Sequence, residues 1–301
     1  MRPDPLDLVR DLGIDPESIT QIDTRSERHG HGIWRIVTAR RSAILKWMPD
    51  EAARVEISGY RLLQALEVPT LPLYGHTDQA LLMEDLTGSA TWRLATEADT
   101  AVPEVGRAVA RWYRAFHRAG ETMLSRGNPP EFLGRESDAL TPESIRATAR
   151  MLDLANQPVW DLAVGHIAPL KAAVDRLGAT LNYNDFHWTN LALSRKRNTR
   201  TGEFEAIVFD YHLLGIGMRT SDCRNAAGGL TGEAVPAFWK VYGEVDPREE
   251  ILDRPLATLF GLHVAARRPR FPSWAVSSRE RVIDGNLARD LKAAITLAQS
   301  L

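Results

Sequence analysis

The sequence predicts an α+β protein with two lobes, a small N-terminal antiparallel sheet with one helix and a larger, mostly helical C-terminal part. Before residue 87, short runs of apolar and β-branched residues are separated by turn residues, as in β-hairpins. After residue 87, apolar residues recur at three- and four-residue spacings, as in amphipathic helices. We therefore expect lobes at residues 1–86 and 87–301.

The N-terminal elements follow from this alternation of patterns. Residues 33–38 and 43–48 predict two strands of a hairpin, and residues 71–86 predict two more strands. Between the pairs, an apolar stripe predicts one helix from about Ala52 to Leu66.

The C-terminal lobe is expected to be helical with one interruption. Val105, Val109, Trp112 and Phe116 mark one helical face, and Gly120 is placed to end that helix. Helical spacing continues through residues 142–176 and 234–300. Residues 180–216 instead contain short apolar runs around a polar turn, which predicts a single embedded hairpin.

Composition and charge exclude several classes of protein. The chain has 301 residues, 44% of them hydrophobic and 25% charged, which is typical of a globular protein and excludes a disordered one. The net charge of −2 provides no field for holding nucleic acid or an anionic membrane, so neither is an expected partner. The single cysteine, Cys223, and the lack of a leader-like or membrane-spanning apolar run favour a cytoplasmic protein.

Three polar residues flank the predicted hairpin. Asp185 is followed five residues later by Asn190, and Asp210 comes directly after the second apolar run. Their oxygens could surround one point, and such ligands suit a hard cation such as Mg²⁺. Singly, each residue could be a loop cap or a surface carboxylate, but the ordered set with strands between them favours a functional site.

This pattern resembles the aminoglycoside phosphotransferase family, whose members have a protein-kinase-like fold and phosphorylate small molecules. The resemblance implies that Asp185 is the catalytic base, and that Asn190 and Asp210 hold the Mg²⁺ ions bridging the phosphates of ATP or GTP. The implied partners are therefore a nucleotide and a small hydroxyl-bearing substrate, with an aminoglycoside or another antibiotic as one candidate.

Two charged residues of the N-terminal lobe support the same interpretation. Lys46 lies within an apolar strand and Glu56 lies on the apolar stripe of the following helix, so each requires a partner of opposite charge. They resemble the family's strand lysine, which contacts phosphates, and the helix glutamate that holds it. Alternatively both side chains reach water, and Glu51 is a second candidate for the helix carboxylate.

The segment from Met83 to Leu86 resembles the family's connector between lobes. That resemblance implies that backbone groups of Glu84, Asp85 and Leu86 bind the purine, while Met83 limits the depth of its pocket. Residues 26–32 fall where the family has a phosphate-covering turn, although they lack the pattern G-x-G-x-x-G and fit a simple hairpin turn equally well.

The chain departs from the family beside two of these residues. Tyr183 and Asn184 stand where His-Gly usually precedes the catalytic aspartate, and Tyr211 and His212 follow Asp210. Asparagine tolerates left-handed backbone geometry, so the loop can persist. A nucleotide-binding pseudokinase without turnover remains the alternative function. A protein kinase is disfavoured because only about eleven residues separate Asp210 from Asp222.

The sequence gives weaker signals for the compound that would accept the phosphate. A group of acidic residues could form a wall for a cationic substrate or a solvated helix face: Glu244, Asp246, Glu249, Glu250 and Asp253. Conversely, three arginines beside aromatic residues could line a pocket for an anionic compound: Arg267, Arg268 and Arg270. No P-loop, G-x-S-x-G or H-E-x-x-H sequence occurs, which disfavours other nucleotide, hydrolase and zinc chemistries.

Overall fold

A computed structural model describes residues 3–22 and 31–301 of the chain. The chain divides into two compact units. The first unit comprises Met1–Ala119, Tyr183–Leu214 and Asn225–Gly243, and the second comprises Gly120–Asn182, Gly215–Arg224 and Glu244–Leu301. The lobe boundary expected between residues 86 and 87 remains a prediction.

Helices and strands account for most of the described residues. In chain order they are α1 (Pro5–Asp11), β1 (Ser18–Gln21), β2 (Gly32–Val37), β3 (Ser42–Trp47), α2 (Val55–Ala65), β4 (Leu73–His76), β5 (Ala80–Glu84), β6 (Trp92–Leu94), α3 (Pro103–Ser125), α4 (Pro142–Met151), α5 (Val159–Leu177), β7 (Thr180–Asn182), β8 (Leu191–Ser194), β9 (Ala206–Val208), β10 (Gly215–Gly217), α6 (Arg219–Gly228), α7 (Ala234–Tyr242), α8 (Pro247–Ala266), α9 (Val276–Ile283) and α10 (Asn286–Ser300).

The first unit contains the predicted antiparallel sheet. Its strand order is β1-β2-β3-β5-β4, and every neighbouring pair is antiparallel. Alternate residues of β2 and β3, including Trp34, Ile36 and Leu45, are buried against Leu8 and Val9 of α1. This period of two leaves one face of each strand for the apolar core.

A second small sheet of the first unit positions the polar motif. Strand β8 pairs with β6 on one side and with β9 on the other, all antiparallel. The predicted hairpin is therefore present as β8 and β9, with residues 195–205 between them. Asn190 directly precedes β8, and Phe209 directly follows β9. The start of the hairpin therefore positions Asn190, and its end positions Asp210, the residue after Phe209.

The second unit is mainly helical. Helices α4, α5, α8, α9 and α10 enclose an apolar core, and β7 pairs with β10. Fully or almost fully buried side chains of this core include Trp160, Ile167, Leu170, Leu252, Leu262, Leu287 and Leu291. Within the described residues, no helix is both long and apolar enough to cross a membrane.

Two expectations for the region after residue 87 were wrong. The region contains three antiparallel strand pairs rather than a single hairpin, since β6 pairs with β8 and β7 pairs with β10 in addition to the pairing of β8 with β9. In addition, α3 does not end at Gly120 but continues to Ser125. A Cβ atom on Gly120 would come closer than 3.0 Å to Leu181 N and Thr180 Oγ1. The glycine therefore permits close approach of a strand, not termination of the helix.

This difference leads to a matched prediction for two helical glycines. Gly120→Ala should destabilise the protein by about 1–3 kcal/mol, because the new methyl group overlaps the backbone of β7. Gly165→Ala, in α5, should stabilise it by up to about 1 kcal/mol, because nothing lies within 4 Å of the added Cβ. Urea unfolding midpoints of both variants measure the difference, and equal shifts would contradict the assignment of Gly120.

Candidate active site

The site begins with an ion pair between Lys46 of β3 and Glu56 of α2. Lys46 Nζ lies 2.5 Å from Glu56 Oε2, and the two residues are only 8% and 1% exposed. The predicted pairing of these two residues is therefore present. Glu51 lies exposed in the turn before the helix. A buried ammonium requires such a partner, because desolvation of an unpaired charge is costly.

Asp210 completes a charged triad around the same ammonium. Its Oδ1 lies 2.9 Å from Lys46 Nζ and accepts a second hydrogen bond, also 2.9 Å, from His212 Nδ1. Asp210 follows β9 in the left-handed backbone region, with φ of 69°. Lys46 is thus held between one carboxylate from α2 and one from the segment after β9.

The electrostatic balance keeps charge concentrated at this point. Burial opposes the charge of Lys46, but the carboxylates of Glu56 and Asp210 outweigh it and raise the lysine pKa above its usual value. Burial also opposes ionisation of Asp210, yet Lys46 and His212 lower its pKa. Burial raises the pKa of Glu56 to about 7, against the opposing effect of Lys46.

The second part of the site is the loop that carries Asp185. Asn190 Nδ2 donates to Asp185 Oδ2 at 2.8 Å and more weakly to the Asp185 carbonyl at 3.3 Å. Burial raises the pKa of Asp185, and nearby Asp210 adds to this shift. The amide nitrogen of Asn190 is engaged with Asp185, which leaves its Oδ1 as the atom suited to a cation.

Asn184 supports the loop in the place expected to favour glycine. Its φ is 66°, in the left-handed region, and its Nδ2 donates to the Leu213 carbonyl at 3.1 Å. Asparagine adopts this conformation at lower cost than most residues. The expected left-handed geometry is therefore present, and the substitution for glycine leaves the loop conformation available.

Two contacts join the loop that carries Asp185 to the segment that carries Asp210. The Tyr183 hydroxyl donates to the Phe209 carbonyl, and Phe209 N donates to the Asn190 carbonyl at 3.0 Å. Within the second segment, the Tyr211 hydroxyl donates to the Val208 carbonyl. The first two bonds hold Phe209, the residue before Asp210, to both sides of the Asp185 loop.

An aromatic contact links the same segment to α2. The rings of Tyr211 and Tyr60 pack edge to face, with centroids 4.7 Å apart, and Tyr60 lies one helical turn after Glu56. Gly59 lies beside them, where a Cβ would come 3.1 Å from Tyr211 Cβ. The helix that supplies Glu56 thus also fixes the segment that supplies Asp210.

The structure therefore places all four residues in one unit. Lys46 pairs with Asp210, and Asn190 pairs with Asp185. The hydrogen bond from Phe209 N to the Asn190 carbonyl connects the two pairs. Their assigned roles in catalysis and metal binding remain predictions. His187 Nδ1 pairs with Thr189 Oγ1 at 2.8 Å and so supports the turn at 188–190, and the histidine also acts electrostatically on Asp185.

The connector predicted to bind the purine follows β5. Met83 is 6% exposed, with its sulfur near the Tyr60 hydroxyl, whereas Glu84 and Leu86 are partly buried. The Asp85 carboxylate is fully engaged in the fold and accepts hydrogen bonds from three groups: Arg35 Nε at 2.7 Å, Ser42 Oγ at 2.6 Å and Thr87 N at 3.0 Å. A purine would have to use the backbone of this segment, and that role remains a prediction.

Other predicted features contribute less to the site. Residues 26–30 of the glycine-containing turn lie outside the described residues, and Gly32 begins β2. Two residues of the candidate acidic wall are engaged in the fold instead. Glu249 is buried and accepts a hydrogen bond from Thr220 N, and Asp253 is buried and pairs with Arg224. Arg267, the residue after α8, donates to the His263 carbonyl of that helix and to Thr148 Oγ1.

Sequence reasoning missed three features of the site. It assigned no contact to His212, no link between the loops to Tyr183 and no partner to Asp85. The position of His212 two residues after a candidate metal ligand was the available signal. The other two contacts join residues far apart in the chain, and nothing local in the sequence indicates them.

No sequence-family model matches the chain, and no curated protein matches it. Solved structures do. A choline/ethanolamine kinase family protein from Mesorhizobium loti is 15% identical with a TM-score of 0.59, over 97% of this chain and 99% of that one. Choline kinase LicA from Streptococcus pneumoniae is 12% identical with a TM-score of 0.56, over 95% and 100%.

A spectinomycin phosphotransferase, solved with ADP and spectinomycin, is 12% identical with a TM-score of 0.51, over 96% of this chain and 98% of that one. At these identities the comparisons establish the fold alone. The chain has the protein-kinase-like fold of choline/ethanolamine kinases and aminoglycoside phosphotransferases. The α+β class and the resemblance inferred from the motifs are confirmed at that level.

Asp85 generates a prediction about stability. Asp85→Ala should destabilise the protein by about 2–4 kcal/mol at pH 7, because it removes a buried charge that accepts three hydrogen bonds. Burial opposes ionisation, but hydrogen bonds from Arg35 and Ser42 lower the pKa of Asp85. Its contribution is therefore present above the unfolded-state value of about 4 and is lost as the pH falls below it.

Urea unfolding at pH 7 and at acid pH tests this prediction. The exposed Asp78, in the turn between β4 and β5, provides the control variant Asp78→Ala, which should change stability little. A destabilisation that persists undiminished at acid pH would contradict an ionised Asp85.

Asn184 allows a test of backbone strain. Both Asn184→Gly and Asn184→Ala lose the bond to Leu213, so their difference reports the left-handed φ against the larger unfolded-state entropy of glycine. We expect the alanine variant to be less stable by about 1 kcal/mol or more. Thermal or urea unfolding of the pair measures this, and equal stability would argue against the left-handed conformation.

Proposed function

We propose that the protein is a magnesium-dependent small-molecule kinase that transfers the γ-phosphate of ATP or GTP to a hydroxyl group. The observation that carries the proposal is the charged triad, in which Lys46 Nζ contacts both Glu56 and Asp210 beside the loop of Asp185. Phosphoryl transfer depends mainly on positioning and on neutralising negative charge. The triad supplies the fixed ammonium group of Lys46. It also supplies the carboxylate of Asp210, which is suited to binding a metal cation.

Lys46 is the residue proposed to bind the nucleotide phosphates. Its ammonium is almost fully buried, and its pKa is raised, so it stays protonated at every physiological pH. Glu56 holds the lysine from the side of α2 and thereby fixes its direction. The segment from Met83 to Leu86 is proposed to bind the purine through its backbone groups.

The donor atoms fit Mg²⁺. Asp210 offers a carboxylate whose pKa is lowered, so it is ionised, and Asn190 offers the amide oxygen left by its bond to Asp185. Hard oxygen ligands of this type suit Mg²⁺, which usually takes only one or two carboxylates and completes its shell with water and phosphate oxygens. When bound, the cation would neutralise charge on the phosphates.

Asp185 is the proposed catalytic base. As the bond between the γ-phosphorus and its bridging oxygen breaks, the acceptor hydroxyl oxygen forms a new bond to phosphorus and its proton passes to Asp185. Burial raises the pKa of this carboxylate, which strengthens it as a base. Asn190 holds Oδ2 of Asp185, so one oxygen is fixed while the other remains for the acceptor.

The acceptor class is proposed from the structural neighbours. Those named above act on choline or ethanolamine, or carry the name of spectinomycin, so amino alcohols and aminoglycoside-type antibiotics are the first compounds to test. A role in antibiotic resistance would follow only if an antibiotic proved to be the acceptor.

Nucleotide turnover on pooled hydroxyl compounds tests the function. The protein is incubated with Mg²⁺ and ATP or GTP together with amino alcohols, aminoglycosides, macrolides, nucleosides or sugars. The release of ADP or GDP is measured. We expect release with at least one pool, and a reduction of about 100-fold or more in Asp185→Asn. Asp78→Asn is the matched control, because Asp78 is an exposed aspartate of the same unit.

Two outcomes would overturn the assignment. Equal release by wild type and Asp185→Asn would remove Asp185 from its role. Binding of nucleotide with Mg²⁺ but no release with any pool would favour the alternative, a nucleotide-binding pseudokinase. The left-handed Asn184 favours an active enzyme, since it shows that the departure from His-Gly leaves the loop conformation available.

A further inference from the structure

One cavity of the second unit is lined by three arginines. It has a volume of about 350 Å³, and its lining residues are Arg224, Arg254, Ala257, Thr258, Ser278 and Arg281. All six belong to the second unit, whereas Lys46, Asp185 and Asp210 belong to the first. The cavity is therefore not part of the site described above.

Three helices each contribute one arginine. Arg224 comes from α6, Arg254 from α8 and Arg281 from α9. Arg254 and Thr258 are four residues apart, and Ser278 and Arg281 are three apart, so each pair lies on one helical face. Guanidinium and hydroxyl groups are thus brought together from elements distant in the chain.

The carboxylates that balance these arginines do not line the cavity. Arg224 Nε donates to Asp253 at 2.7 Å, Arg281 contacts Asp290, and Arg254 lies 3.8 Å from Glu250. The side chains of Asp253 and Asp290 are only 4% and 12% exposed. Glu136 and Asp222 also act electrostatically on Arg224, but neither lines the cavity.

These pairs orient the arginines, and Arg224 Nη2 also donates to Ser221 Oγ at 3.3 Å. Arg254 is the least engaged of the three, because it lies 3.8 Å from Glu250 and its side chain is 64% exposed. A guanidinium group carries five N–H donors, so Arg254 keeps donors beyond that contact. Every charged residue in the lining is cationic, and the remaining polar lining residues, Thr258 and Ser278, bear hydroxyl groups. Guanidinium groups held in this way recognise the paired oxygens of phosphate and carboxylate groups.

We propose that this cavity binds a small organic molecule bearing a phosphate or carboxylate group. Its volume lies within the range of about 300–1,000 Å³ that is typical of small-molecule sites, so it has room for more than a single inorganic ion. This inference does not depend on the kinase function, because it uses no residue of the charged triad.

Calorimetric titration of the full chain, without nucleotide and at constant ionic strength, tests the proposal. The probes are glucose 6-phosphate, citrate and inorganic phosphate, with glucose as the neutral control. Arg254→Gln is the test variant, because its side chain is 64% exposed and its removal leaves no buried carboxylate unpaired. Arg248→Gln is the matched control, another exposed arginine of α8 that pairs with a nearby carboxylate but does not line the cavity.

We expect glucose 6-phosphate or citrate to bind the wild type, with affinity reduced about fivefold or more in Arg254→Gln and unchanged in Arg248→Gln. Glucose should not bind. The proposal is overturned if neither organic anion binds, or if Arg254→Gln binds as tightly as wild type. Inorganic phosphate binding as tightly as the organic anions would overturn the organic ligand class.

Discussion

The first unit depends on one buried ammonium group. Lys46 is inside an apolar strand and is tolerated there because Glu56 and Asp210 contact it from two separate elements. Without either carboxylate the charge would be left in an environment that disfavours it. The requirement to satisfy this single charge therefore brings strand β3, helix α2 and the segment after β9 to one point.

Around that point, the polar loops are held by uncharged contacts. The hydroxyls of Tyr183 and Tyr211 bind backbone carbonyls, and the ring of Tyr211 packs on Tyr60. These contacts engage no carboxylate. They therefore add to the ion pairs of Lys46, which also hold the site in place.

Much of this arrangement could be predicted from the sequence, because its signals are local. The sheet, helix α2 and the hairpin of β8 and β9 follow from apolar periodicity, and Lys46 and Glu56 were paired because each stood in an apolar pattern without an obvious partner. The ordered spacing of Asp185, Asn190 and Asp210 indicated the rest of the site.

What the sequence could not indicate depends on long-range contacts. The interaction of Asp85 with Arg35 joins residues 50 positions apart, and Gly120 proved to be a close-packing position rather than a helix end because of a strand some 60 residues later. Likewise, the arginines of the second unit come from three helices, and no spacing in the sequence shows that they line one cavity.

The tyrosine at position 183 has a consequence for the pH range of the fold. The aminoglycoside phosphotransferase family, which the motifs of this chain resemble, usually has histidine at the corresponding place. Histidine gains or loses a proton near neutral pH. Burial instead raises the pKa of Tyr183 well above that of an ordinary phenol, so its hydroxyl remains a neutral donor to Phe209 throughout the physiological range. The hydrogen bond between Tyr183 and the Phe209 carbonyl therefore persists over a pH range in which an imidazole would change its charge.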